Sequence, residues 1–157
     1  MGFHTHTPRL GIDSCRMVEH GGKEMQFDHE KLEVYQRAID FVALADKIVT
    51  ELPKGRAYLA DQLQRAATSV PLNIAEGAGE YSRNDKARFY RMAKRSATEC
   101  AAILDVCRRL ELVESQYLDT GRDLLLRLVS MLVSLARRLS ASGRGTGKGT
   151  GKGKEQD

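Results

Sequence analysis

The sequence predicts an all-α protein, an antiparallel up-and-down four-helix bundle. Three observations carry that expectation. Four long stretches repeat apolar residues at three- and four-residue spacing, the connections between them are short, and no segment alternates as a strand does. An apolar share of 41% with aromatics at 6% and no tryptophan implies a core of Leu, Ile, Val and Ala, which suits helix-on-helix packing. At 157 residues the chain fits one domain. The alternative architecture is a three-helix core with the N-terminal region packed on it.

Residues 1–26 show no sustained periodicity and read as a disordered leader or a misassigned start, with Met17 and Met25 as alternative starts. His4 and His6 form an H-x-H pair with no further ligand nearby, too little to hold a metal. The bundle spans residues 27–140. Helix 1 is expected over about 30–51, with Asp28 as its cap and Tyr35, Ala38, Val42, Ala45, Val49 and Leu52 as its stripe. Pro53 and Gly55 stop it. Helix 2, about 56–77, carries Leu59, Leu63, Ala66, Ala67, Val70 and Ile74 on one side. Pro71 falls inside that pattern, where it lacks an N–H and presses on the carbonyl of Ala67, so the helix should kink there and end at Gly77 and Gly79. Ser82 to Asp85 is nearly a capping box and opens helix 3, about 82–111. Helix 4, about 115–140, repeats Leu118, Leu125, Leu128, Leu132, Leu135 and Leu139. Residues 141–157, glycine at alternate positions and almost nothing apolar, cannot repay their ordering entropy and should be a disordered basic tail.

Charge is distributed unevenly. The formal excess is only +4, yet between Ser82 and Arg95 six basic residues face the single acid Asp85. On a helical projection Arg83, Arg88, Arg91, Lys94 and Arg95 fall within about 140° of arc, with Lys86 close by in sequence. Phe89, Met92, Ala93, Cys100, Ile103, Leu104, Cys107 and Leu110 fall on the opposite side and read as core. Solvated faces normally mix signs, and like charges one turn apart each cost a few tenths of a kcal/mol (~0.2–0.5), so an anionic partner is expected to relieve them. Tyr81 and Tyr90 are placed to stack on exposed bases. Arg144, Lys148 and Lys152 in the tail resemble a basic arm that adds affinity for phosphate backbones.

The apolar arc of helix 4 covers more than half its circumference, beyond what a monomeric bundle needs. Helix 1 shows a milder surplus, in which Val34, Phe41, Leu44 and Ile48 flank the stripe. Homo-oligomerisation is therefore expected, with Phe41, Leu44, Leu126, Val129 and Val133 at the interface.

Enzymatic chemistry finds no support. No nucleophile motif, cofactor loop or Glu-x-x-His pair is present, so no catalytic residue, cofactor or metal is expected. Ser69, Asn73, Glu76, Ser96 and Glu99 are polar positions near the bundle interior, expected to absorb the carbonyl freed by Pro71 and the end of helix 2. Cys100 and Cys107 lie about 10 Å apart along one helix, too far for a disulfide, and with Cys15 have no zinc-like spacing. They read as buried apolar groups in a reducing cytoplasm. No stretch reaches the roughly 18 apolar residues of a membrane span.

The run RAATSVPLNIAEGAGEYSRNDKARFYRMAKRSATE resembles the signature of the bacterial four-helix-bundle family that includes the 23S rRNA intervening-sequence proteins. The matching positions are Arg65, Ala66, Ala67, Ser69, Pro71, Asn73, Ile74, Ala75, Glu76 and Gly77, then Arg88, Phe89, Ser96 and Glu99. FDHEKLEVYQRAIDFV is similar to the family's opening. Arg95 departs from it, standing where many members carry glycine, and must point outward if the packing is shared. The resemblance covers about residues 27–140. It implies an up-and-down bundle that assembles into rings, with a pentamer expected. Bundles of similar fold serve as accessory subunits of reverse transcriptases in diversity-generating retroelements. The expected function is thus a non-enzymatic, homo-oligomeric accessory protein that binds RNA or DNA through the basic face of helix 3. The alternative is a protein-interaction adaptor, for example one that docks a reverse transcriptase.

Overall fold

The computed structural model describes residues 25–141. It contains four helices: α1 (Glu33–Glu51), α2 (Ala57–Gly79), α3 (Arg83–Arg109) and α4 (Ser115–Ala141). α3 packs between α2 and α4, and α1 closes the ring against those same two helices. Short connections force neighbours to run antiparallel. The start of α3 therefore meets the end of α4, where Arg83 donates to the carbonyl of Arg138 at 3.3 Å, and its end meets the start of α4, where Arg108 reaches Asp119 at 2.7 Å. His4, His6, Cys15 and the tail residues Arg144, Lys148 and Lys152 lie outside the described residues.

Each boundary has a local cause. Asp28 does not cap α1. It pairs with Lys31 at 3.0 Å inside a turn that precedes the helix, and Leu32 occupies the cap position without a side-chain bond. Gly55, with φ 88°, takes the left-handed turn after Pro53. α2 runs through Pro71 and two residues past Gly77. Ser82 opens α3 by accepting from the Asp85 N–H at 3.4 Å, one half of the capping box. α3 ends in a Schellman turn: Leu112 N–H reaches Cys107 O at 3.0 Å, Glu111 N–H reaches Arg108 O at 3.1 Å, and Glu111 sits at φ 52°.

The fully buried side chains Phe41, Ile48, Leu63, Ile74, Leu118, Leu125, Leu128 and Leu132 form one continuous core. Its phase differs from the sequence expectation in α1. Val34, Ala38, Phe41, Ala45 and Ile48 face inward, whereas Tyr35, Val42, Val49 and Leu52 lie at the margin. Phe41 is 0% exposed, so it is a core residue and not an interface one. α3 departs as well. Small Ala87, Ala93 and Ala97 fill its inner face with Tyr90, Cys100, Leu104 and Cys107, while Phe89 is half-buried and Met92 and Leu110 are exposed. Alanines on α3 let a bulky Tyr90 enter because α2 yields at Gly77. A Cβ there would meet the Tyr90 ring at 2.9 Å and Phe89 Cβ at 3.0 Å.

Candidate functional site

Seen from α3 outward, the basic cluster divides into three groups. Arg83 and Lys86 are occupied. Arg83 serves the C-terminal carbonyl of α4, and Lys86 Nζ donates to the Ala78 carbonyl near the end of α2 at 3.2 Å. Both act as C-terminal caps, where a cation also meets the negative end of the helix dipole. Arg88 and Arg95 are exposed on the side of α3 that turns toward α2. The Arg88 guanidinium carbon lies 5.8 Å from the Phe89 ring centroid. Arg95 borders a shallow depression of about 150 Å³ with Met92, Ser96, Glu99, Ser69 and Asn73. It is exposed, the placement expected of it if the packing is shared.

Arg91 and Lys94 form the third group, on the side of α3 toward α4. There they share a groove of about 520 Å³ with Arg137, over a floor of Tyr90, Leu132, Val133 and Ala136. Ser140 and Ala141 stand at one end, and among the described residues no carboxylate lines the groove. Among the described residues, Arg88, Arg91, Lys94 and Arg95 make no ion pair, whereas the other end of α3 is neutralised by Arg108–Asp119 at 2.7 Å and Asp105–Arg122 at 3.5 Å. Arg137 was not among the residues singled out from sequence. Its only signal is the Arg137–Arg138 doublet that ends the apolar run of α4.

Tyr90 cannot stack on a base, since it is 3% exposed; the same burial raises its phenol pKa. Tyr81, fully exposed at the α2–α3 corner, can.

The signature polar residues split in the same way. Ser69 Oγ and Ser96 Oγ are 2.9 Å apart across α2 and α3, and Asn73 Nδ2 donates to Ser69 O at 2.8 Å and to Ser69 Oγ at 3.0 Å. This cluster ties the two helices together, but it serves the Ser69 carbonyl and not that of Ala67, the one freed by Pro71. Glu76 and Glu99 are exposed and bond no described side chain, contrary to the expected interior placement. Each lies about 130–140° from the centre of its helix's buried face, beyond the rim where Ser69, Asn73 and Ser96 sit. Arg65 is exposed too, with its Nε 3.4 Å from Asp61 O.

Of the remaining residues expected at an oligomer interface, Leu126, Val129 and Val133 fall within about 60° of arc on α4, and Leu44 stands on α1. Leu44 is half-buried near Gly121, Val129 is half-buried, and Val133 belongs to the α3–α4 groove. Leu126, 58% exposed, lines a separate groove with Glu33 and Arg37 of α1. Burial pushes the Cys100 thiol up to about 12 and raises that of Cys107, which keeps both protonated and inert near neutrality. Among the described residues no cluster of metal-ligating side chains occurs, and no helix is long and apolar enough to cross a membrane.

Comparison with known proteins follows this geometry. Residues 30–134 match the family described as 23S rRNA-intervening sequence protein. Among solved structures, a protein of unknown function of the S23 ribosomal protein family from Bacteroides thetaiotaomicron superposes with a TM-score of 0.62 at 20% identity. The match covers 66% of this chain and 98% of that one. Among curated proteins none is significantly similar.

Proposed function

Since the chain belongs to the 23S rRNA-intervening sequence protein family, we propose that it is a non-enzymatic, homo-oligomeric accessory protein that binds RNA or DNA in the cytoplasm. One observation carries this reading: Arg88, Arg91, Lys94 and Arg95 stand exposed on one half of α3 with no described carboxylate to pair them. Phosphates relieve such a cluster by charge-assisted hydrogen bonds, and Tyr81 adds a stacking face beside it. Outside the α3–α4 groove, exposed Leu126 and half-buried Val129 of α4 support self-association, for which a pentamer is the expected stoichiometry.

The test is binding of a single-stranded RNA across a salt series, with light scattering to give the assembly state. Each lost phosphate contact should reduce the log–log salt slope by roughly 0.7. The Arg88→Glu/Arg95→Glu variant should therefore bind more weakly and less salt-dependently, and lose more than a chain lacking residues 142–157. Binding indifferent to salt and to this variant would remove the nucleic-acid reading.

A second reading is favoured by the aliphatic floor between α3 and α4. It makes the chain an adaptor that docks an acidic partner protein, for example a reverse transcriptase of the kind that bundles of similar fold serve as accessory subunits.

A further inference from the structure

We infer that the α3–α4 groove is a docking site for an acidic amphipathic helix of a partner protein. The inference rests on the adaptor reading and gives it a location and a ligand chemistry. Its floor is aliphatic, built from half-buried Val133 over Leu132 and Ala136, which are buried, as is Tyr90. Nucleobases stack on exposed aromatic faces, and this groove offers none. Aliphatic side chains fit such a floor, and removing them from water is the main gain on docking.

The rim settles the sign of the partner. Arg91 and Lys94, three residues apart and so about one helical turn along α3, stand on one wall, and Arg137 stands on the other. With no carboxylate among the described residues that line the groove, a partner with Asp or Glu on both flanks of its apolar edge meets a cation on each side. The site lies between two helices, which suits a rod-shaped ligand. Apolar residues at i, i+3 or i+4, and i+7 would lie along the floor, and acids one turn apart would reach Arg91 and Lys94.

The test is a selection of displayed helical peptides with randomised faces against the full-length chain, followed by anisotropy titration of the enriched sequences. Enriched peptides should carry acids flanking an apolar edge. Arg137→Glu should weaken them at least tenfold. Val133→Trp fills the floor without changing charge and should do the same. Arg137 is exposed, so its variant should keep the wild-type thermal melt and remain informative even where Val133→Trp does not fold. Peptides lost on Arg88→Glu/Arg95→Glu but indifferent to Arg137→Glu and Val133→Trp overturn the groove while leaving the adaptor reading standing. Selection that yields no acidic amphipathic peptides overturns both. If RNA displaces the peptides and both groove variants lose RNA equally, the groove is a nucleic-acid site and the inference falls. It falls likewise if Val133→Trp dissociates the chain's own oligomer, which would assign the groove to a second copy.

Discussion

The two ends of the α3–α4 seam are built from the same two helices and differ in almost every respect. Toward the end of α3, Gly121 lets α4 approach so closely that a Cβ would meet Leu104 Cδ1 at 2.8 Å. Above that contact, Arg108–Asp119 and Asp105–Arg122 balance their charges. Toward the start of α3, Ala136 stands on α4, a groove opens, and Arg91, Lys94 and Arg137 line it with no described acid. A face shaped only by solvation has no reason to change character halfway along. The contrast is between one end that is closely packed and ion-paired within the described residues and another that keeps an open groove and described cations without a described acid.

The largest expected effect tests the closely packed end. Phe41 lies beneath Gly121, with its ring 3.7 Å from the position of a Cβ there. Phe41→Ala should cost about 3–5 kcal/mol in urea titration, the usual range for truncating a buried Phe. Leu126→Ala should stay within about 0.5 kcal/mol, as a surface change does. Comparable losses at both positions would mean that burial does not distinguish core from margin as described.

Next comes alkaline pH. Cys100 lies midway along the seam, and burial, followed by the charge of Glu99, lifts its thiol from an ordinary 9.0 to about 12. A pKa that is higher in the folded chain contributes stability fully present below about pH 9 and lost as the pH rises toward 12. The thermal midpoint should fall across that window. Cys100→Ala should flatten the fall without abolishing it, because Cys107 and Tyr90 are shifted in the same direction by burial. An unchanged slope in the variant would remove the thiol as the cause.

Close approach at Gly121 predicts a smaller loss. Gly121→Ala gains helix propensity of about 1 kcal/mol but overpacks Leu104 by about 1–3 kcal/mol, for a net loss on the order of 1 kcal/mol. Gly77→Ala, against Tyr90, should behave likewise.

Much of this arrangement was legible in the sequence, because helices announce themselves by period and the apolar residues of α2, exposed Tyr58 and Leu72 apart, fall on one side. Leu59, Leu63, Val70 and Ile74 leave no ambiguity about its inner face. α1 does. Val34 and Tyr35, Phe41 and Val42, Ile48 and Val49 are adjacent apolar pairs, so the pattern fits two phases and only packing against α2 and α4 chooses between them. In α3 the projection followed bulk, placing Phe89, Met92 and Leu110 inside, whereas the helix uses alanines so that its neighbours come close. Tyr90 was misread for a related reason, since its space is supplied by Gly77 on another helix. Of the candidate site, composition revealed the excess charge but not its division. That Arg83 and Lys86 cap other helices, and that Arg137 joins Arg91 and Lys94, depends on which helix ends meet.

The smallest expected effect is the sharpest test of the contrast. Exposed ion pairs contribute little, so a double-mutant cycle on Arg108 and Asp119 should return about 0.2–1 kcal/mol. The closely packed end therefore does not need its pairs to stay folded, and the open end does not lack stability for want of them. Lys94→Glu would install the missing acid in the groove beside Arg137 and make the two ends alike. If the cations are kept for a partner, this variant should change unfolding stability by no more than about 0.5 kcal/mol, as a surface substitution does, while abolishing capture of acidic helical peptides. A loss well above 1 kcal/mol would instead mean that the cations hold the seam itself. The asymmetry between its ends would then be architectural, with no partner required to explain it.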